Sequence, residues 1–214
     1  MWTYKGTGIF LFGLYIHQEY FSIKSMYAAL VNSGIRVSHD IWQIKIPTRL
    51  KIFLWYLKKG VILTKDNLAR RNWNGDTRCS FYHSPESIQH LFLDCFYAKF
   101  LWRAVHLMFA ISPPKSIDDL FNRWSKTGGN KHNSLLLTTT SALCWVVWMT
   151  RNKIVFDKCK PKFFLQVLFR GTHWLRQWAR LQRCDVQRDQ LILVGQHLET
   201  SALHFFCFQW MVVK

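Results

Sequence analysis

The stretch that decides the fold is PTRLKIFLWYLKKG, residues 47–60. Leu50, Phe53, Leu54 and Leu57 recur at the spacing that puts apolar side chains on one helical face. Pro47 suits the first turn, where its missing N–H has no partner to lose. Gly60 fits the left-handed stop position. Lys51, Lys58 and Lys59 fall where they can face water. The spacing therefore predicts a helix over 47–59, buried along one side.

Working outward, the same logic predicts helices almost everywhere. Thr64 reads as an N-cap with Asp66 well placed behind it, opening a short helix to about Asn72. Asn74-Gly75-Asp76 then breaks the chain. Upstream, Ile23, Met26, Tyr27, Leu30 and Val31 give Phe21–Val31 helical spacing. Trp42–Ile46 is the best strand candidate in the sequence. Residues 77–95 read as a loop leading into a short helix, followed by a longer helix over Phe96–Phe109. Ser112-Pro113-Pro114 ends that region, and Ser116 with Asp119 resembles a capping box. Gly128-Gly129-Asn130 is the best internal break, dividing residues 1–127 from 131–214. Two long helices are predicted beyond it, Ser134–Phe156 and Pro161–Arg183, with the C-terminal helices pairing as an αα-hairpin. The fold class expected is mainly α: a small helical domain with a loop-borne knuckle and long C-terminal helices.

The chain has 214 residues, half of them hydrophobic, so a core can form. Its charge is lopsided. Lys and Arg number 29 against 12 Asp and Glu, a formal +17, which favours polyanionic partners. Two blocks carry most of it: Lys45–Arg71, with Asp66 as its single acid, and Arg151–Arg188, with Asp157 and Asp185. The stretch between, with Glu86, Asp94, Asp118 and Asp119, is close to balanced. Arg170, His173, Arg176, Arg180 and Arg183 recur every three or four residues along one predicted helix side. Candidate nucleic-acid contacts are Arg49, Lys51, Lys58, Lys59, Arg170, Arg176, Arg180 and Arg183. An ordinary solvated face is the plainer alternative. Trp145 with Trp148 and Trp174 with Trp178 sit at helical spacing on apolar faces. That favours core packing over base stacking.

Six cysteines in a chain this long suggest reduced thiols, and so nucleus or cytoplasm. The apolar run Gly8–Ile16 follows a lone Lys5 and leads to no small-residue cleavage site, so no secretory leader is expected. Leu135–Met149 is the most membrane-like stretch. It is short for a span and holds Thr138, Thr139, Thr140 and Ser141, so a buried helix is expected.

One segment carries chemistry. Between Cys79 and Cys95, two cysteines and two histidines, His83 and His90, crowd into a short span. Thiolate and imidazole are the ligands a tetrahedral zinc ion takes. The runs Ile41–Pro47, Lys51–Trp55, Leu63–Leu68 and His90–Cys95 resemble the zinc-binding domain of plant LINE-type (non-LTR) retrotransposon reverse transcriptases. Phe21–Tyr27 is similar to that family's upstream segment. Trp145–Phe156, with Arg151-Asn152-Lys153, is similar to its downstream tail, and Arg170–Arg176 to the tail of a grass-type subgroup. The family's ligand pattern is C-x2-C-x7-H-x4-C. The resemblance implies zinc at Cys79, His90 and Cys95, a zinc-binding-like domain over 1–127, a basic helical region over 131–214, and a nucleic-acid partner.

The second cysteine position holds Tyr82, and a neutral phenol is a poor zinc ligand. His83 is the candidate fourth ligand and Asp94 a weaker one. The other reading is that the metal is gone and both cysteines are small buried hydrophobes. The polymerase's aromatic-x-Asp-Asp signature is not matched, since Asp118-Asp119 follows Ser116-Ile117 and reads as a helix start. No P-loop, nucleophile elbow or ribonuclease H quartet is present. The expectation is a non-catalytic protein without a small-molecule substrate. The alternatives are a degenerate remnant with no retained activity, and a membrane-associated protein anchored through 135–149.

Overall fold

The computed structural model describes residues 39–82, 84–122, 124 and 129–212. The predicted helix over Phe21–Val31 lies outside them. The regular elements within them are helical, and their one β pairing is an isolated antiparallel bridge between Arg78 and Pro85. In chain order the helices are α1 His39–Gln43, α2 Thr48–Lys58, α3 Lys65–Ala69, a π-helical turn His90–Asp94, α4 Phe96–Phe109, α5 Ile117–Asn122, α6 Gly129–Asp157, α7 Phe164–Ala179 and α8 Asp185–Val212. A mainly α fold with long C-terminal helices is what the sequence predicts.

α2 behaves as its pattern demands. Leu50, Phe53, Leu54 and Leu57 are buried, Pro47 stands at the N-cap, and Gly60 takes φ +71. The Gly60 N–H bonds the Leu57 carbonyl, and the Val61 N–H bonds that of Tyr56. These bonds satisfy carbonyls the helix end would leave open. Asn67 of α3 then stitches the turn shut, its buried amide donating to the Gly60 and Ile62 carbonyls at 2.8 and 2.7 Å. α3 ends at Ala69, with a turn continuing to Asn72 at φ 62. Ser116 accepts from the Asp119 N–H at 3.0 Å, and the Asp119 carboxylate reaches back to the Lys115 N–H at 2.9 Å. This is a capping box displaced by one residue.

Trp42–Ile46 is not a strand. Its first half belongs to α1, and a bend with Ile46 N–H on the Ile44 carbonyl tucks Ile44 and Ile46 into the core beside Ile41. The alternating apolar pattern is met by a bend rather than a pleat, and the Trp42 carbonyl is taken by Lys51 Nζ at 2.8 Å.

α6 begins earlier than predicted, at Gly129, and runs through the core. Its hydroxyl-bearing run stays buried because each of Thr138, Thr139 and Ser141 donates to the carbonyl four residues back, at 2.7, 2.9 and 2.6 Å. Among the described residues no helix is long and apolar enough to cross a membrane. The tryptophans largely pack: Trp145 and Trp148 meet Phe53, and Trp178 is fully buried.

α7 is shorter than predicted. It starts at Phe164 instead of Pro161 and ends at Ala179, where Leu181 and Gln182 N–H groups turn back onto Trp178 and Ala179. That turn launches α8, for which the sequence reading names no helix. Leu191, Val194, Leu198 and Ala202 give it a buried stripe against α7, so α7 and α8 pair as a hairpin beyond the two helices expected, while α6 and α7, the predicted pair, also pack together. Gly171 lets α7 approach α6 closely: a Cβ there would lie 3.3 Å from Leu143 and 3.4 Å from Val146. The apolar core is continuous from Ile41 to Ala202. Gln182 reinforces it, donating to the Lys45 carbonyl ahead of α2 at 3.0 Å.

Candidate metal centre and its basic surroundings

Three side chains from three local structures converge. Cys79 sits in the loop held by the Arg78–Pro85 bridge and by its own N–H on the Ser84 carbonyl at 2.7 Å. His90 opens the π-helical turn, its N–H bonded to Ser87 Oγ at 3.0 Å. Cys95 caps α4 and closes the turn, its N–H on the His90 carbonyl at 2.6 Å. The ligand atoms of the three lie within 4.8 Å of one another, and the two sulfurs are 4.0 Å apart. Two thiolates on a tetrahedral zinc at ~2.3 Å each would stand about 3.8 Å apart.

The surroundings suit a metal. Cys79 and Cys95 are buried, and the buried Nε2 of His90 has no hydrogen-bond partner. An orphaned imidazole nitrogen beside two sulfurs is a donor set that a cation satisfies. Both sulfurs collect backbone N–H groups: Phe81 donates to Cys79 at 3.4 Å, with Tyr82 also contributing, and Phe96 and Tyr97 of the first turn of α4 face Cys95. Such donors stabilise thiolate. The Cys95 thiol, donating to Cys79, brings the Cys79 thiol down to about 6, while burial opposes. Cys95 is pushed up in return, first by that same hydrogen bond and then by burial. One thiolate is thus favoured without metal, and a cation would draw off the second proton. Bound there, zinc would act as a cross-link between loop, turn and helix.

The fourth position is less complete. Tyr82 is exposed and lies against Phe96 with ring centroids 5.9 Å apart, and Asp94 is exposed and outside the three-residue group. His83 lies outside the described residues.

A cleft of about 540 Å³ adjoins Cys79. Lys65, Arg78, Lys158 and Lys160 line it together with Trp73. Asp76 also lines it, paired with Arg78 at 3.0 Å. Lys65 reaches the Arg78 carbonyl at 2.6 Å. Lys158 ends α6 in a left-handed conformation, φ 55, which turns the chain along the cleft. Lysines from both basic blocks meet here. None of these residues is among the predicted contacts, although the dense run Lys158–Lys162 was a usable signal.

The predicted nucleic-acid contacts differ in exposure and in what holds them. Arg49, Lys59, Arg180 and Arg183 are exposed. Lys51 is committed to the Trp42 carbonyl, and burial followed by neighbouring Lys45 lowers its pKa. Lys58 lies 6.0 Å over the Phe121 ring. Arg170 lines a separate cleft between α6 and α7. Arg176 is not a free cation, because Glu199 of α8 holds it at 2.6 Å.

A deeper tie was also missed. Arg151 of α6 grips Glu86 of the knuckle loop through Nη2 at 2.7 Å and Nε at 3.1 Å, both side chains nearly dry at 4 % and 0 % exposure. Glu86 also accepts from the Lys65 N–H at 3.0 Å, and Arg151 stacks 5.2 Å from Trp148.

Helices clasped around a loop, a π-turn and two converging thiols define a helical protein with a Cys–His knuckle. Residues 21–102 match the family described as zinc-binding in reverse transcriptase. No curated protein and no solved structure is similar enough to the chain to count as a match.

Proposed function

We propose that this chain is a non-catalytic, retrotransposon-derived module that binds zinc at Cys79, His90 and Cys95, with His83 as fourth ligand, and grips nucleic acid beside that centre. The observation that carries it is the cleft next to Cys79, where Lys65 from the first basic block meets Lys158 and Lys160 from the second. Phosphates are the ligands such a cluster suits, and Trp73 offers a stacking face. In this role the metal fixes the loop that forms one wall of the cleft. A nuclear or cytoplasmic address goes with it.

The test is binding of the full chain to a fluorescein-labelled oligonucleotide, followed by anisotropy across a salt series. Affinity should fall steeply with salt. Reversal of Lys65, Lys158 and Lys160 to Glu should flatten the slope by roughly one for each phosphate no longer neutralised. A salt-independent affinity, or a slope the triple variant leaves unchanged, would overturn the proposal.

The second reading, a remnant with no retained role, draws on Tyr82 at the family's second cysteine position. Zinc content of the purified chain separates the two.

A further inference from the structure

A second cleft, of about 670 Å³, opens between α6 and α7 and shares no lining residue with the cleft beside Cys79. Three aromatic side chains line it: Phe163, Phe169 and Trp174. Phe163 is 66 % exposed and Phe169 40 %, a large apolar surface left in water. Lys153, Lys162 and Arg170 stand around it, and no carboxylate lines it.

These features select among polyanions. A duplex keeps its bases stacked inside and would leave the aromatic surface wet. An anionic lipid would answer the same cations and aromatics, and the nucleic-acid role proposed for the lysine cleft favours the base. A splayed base answers both features: a flat π-face for the rings and flanking phosphates for the cations.

We infer that the α6–α7 cleft holds one unstacked base of single-stranded RNA or DNA, with the neighbouring phosphates on Lys153, Lys162 and Arg170. This deepens the proposed nucleic-acid role and rests on it. It makes the chain a two-point binder, in which the lysine cleft beside Cys79 tracks phosphates of any strand and the aromatic cleft discriminates for an open one.

The experiment compares the full chain on a labelled oligothymidylate and on a duplex of equal length, as wild type, Phe163→Ala and Trp174→Ala. Wild type should prefer the single strand. Phe163→Ala and Trp174→Ala should each weaken single-strand binding by roughly tenfold and leave duplex binding unchanged. Phe163 is exposed enough that its truncation spares the fold, so the test survives if Trp174→Ala does not fold. Variants that bind the single strand as wild type does overturn the base site, while a salt-dependent wild type keeps the broader reading. A wild type that binds neither oligonucleotide sinks both. Co-sedimentation with phosphatidylserine vesicles that these substitutions abolish, without any change on oligonucleotides, assigns the cleft to lipid and overturns it as well.

Discussion

Tyr82 stands three residues from Cys79, where the family pattern has a thiolate. Its backbone still serves the site, since its N–H is among those drawn to the Cys79 sulfur, while its ring lies out on Phe96. The loop is therefore already folded as a knuckle, and only the side-chain chemistry is absent at that position. From this we expect zinc to load onto the wild-type chain through Cys79, His90 and Cys95, and the Tyr82→Cys variant to hold it at least about tenfold more tightly. Competition against a chromophoric chelator measures both. Loss of zinc in His83→Ala identifies the fourth ligand as His83. Equal affinities in wild type and Tyr82→Cys would mean that a thiolate at position 82 does not displace His83 from the fourth place. A wild type empty where Tyr82→Cys is loaded would mark a decayed site and favour the remnant.

The metal triad itself was legible, because two cysteines and two histidines crowd into a short span and the family resemblance sets Cys79, His90 and Cys95 on ligand positions. The π-widened turn that does so was not, because one extra residue per turn leaves no periodic trace over five residues.

Between elements, the strongest single tie is Arg151 to Glu86, which fastens α6 to the knuckle loop and to the start of α3. Both charges are dry, so neither stands well without the other. Arg151→Met should cost about 3–5 kcal/mol in urea unfolding, because it strands a buried carboxylate. Arg151→Lys should recover only part of that, since an ammonium cannot reproduce the forked contact. A shift for Arg151→Met below about 1 kcal/mol would refute the clamp.

Sequence could place the partners on their elements but not pair them. Glu86 counted only towards a balanced centre and Arg151 only towards a basic block, and a separation of 65 positions carries no local signal of contact. Elements with a strong apolar period were read well: α2 and α4 fall almost where spacing and capping put them. α8 escaped because its polar opening, Asp185 to Gln190, hides the stripe of Leu191, Val194 and Leu198, and because the stripe gains meaning only against α7. Trp42–Ile46 misled for the opposite reason, since two buried isoleucines in alternation look the same in a bend and a strand.

At the scale of the whole molecule the question is how much of the +17 faces outward. Sequence spacing lines up Arg170, Arg176, Arg180 and Arg183, but the fold divides them. Arg170 borders the aromatic cleft, Arg180 and Arg183 lie exposed at and beyond the end of α7, and Arg176 turns inward to Glu199. Glu199 also accepts from the Thr172 hydroxyl, so a single carboxylate ties two turns of α7 to α8. Arg176 should therefore act on stability and not on nucleic-acid affinity. Arg176→Glu places two carboxylates at the hairpin contact and should lower stability by on the order of 1–2 kcal/mol at low salt. Part of that loss should return as added salt screens the repulsion. The salt slope of oligonucleotide binding should stay at its wild-type value in Arg176→Glu, whereas reversing the lysines beside Cys79 should flatten it. Urea unfolding at two salt concentrations and the anisotropy series read these effects separately. If Arg176→Glu flattened the slope and left stability untouched, the arginines of α7 would form a working phosphate track after all, and the Glu199 contact would be incidental.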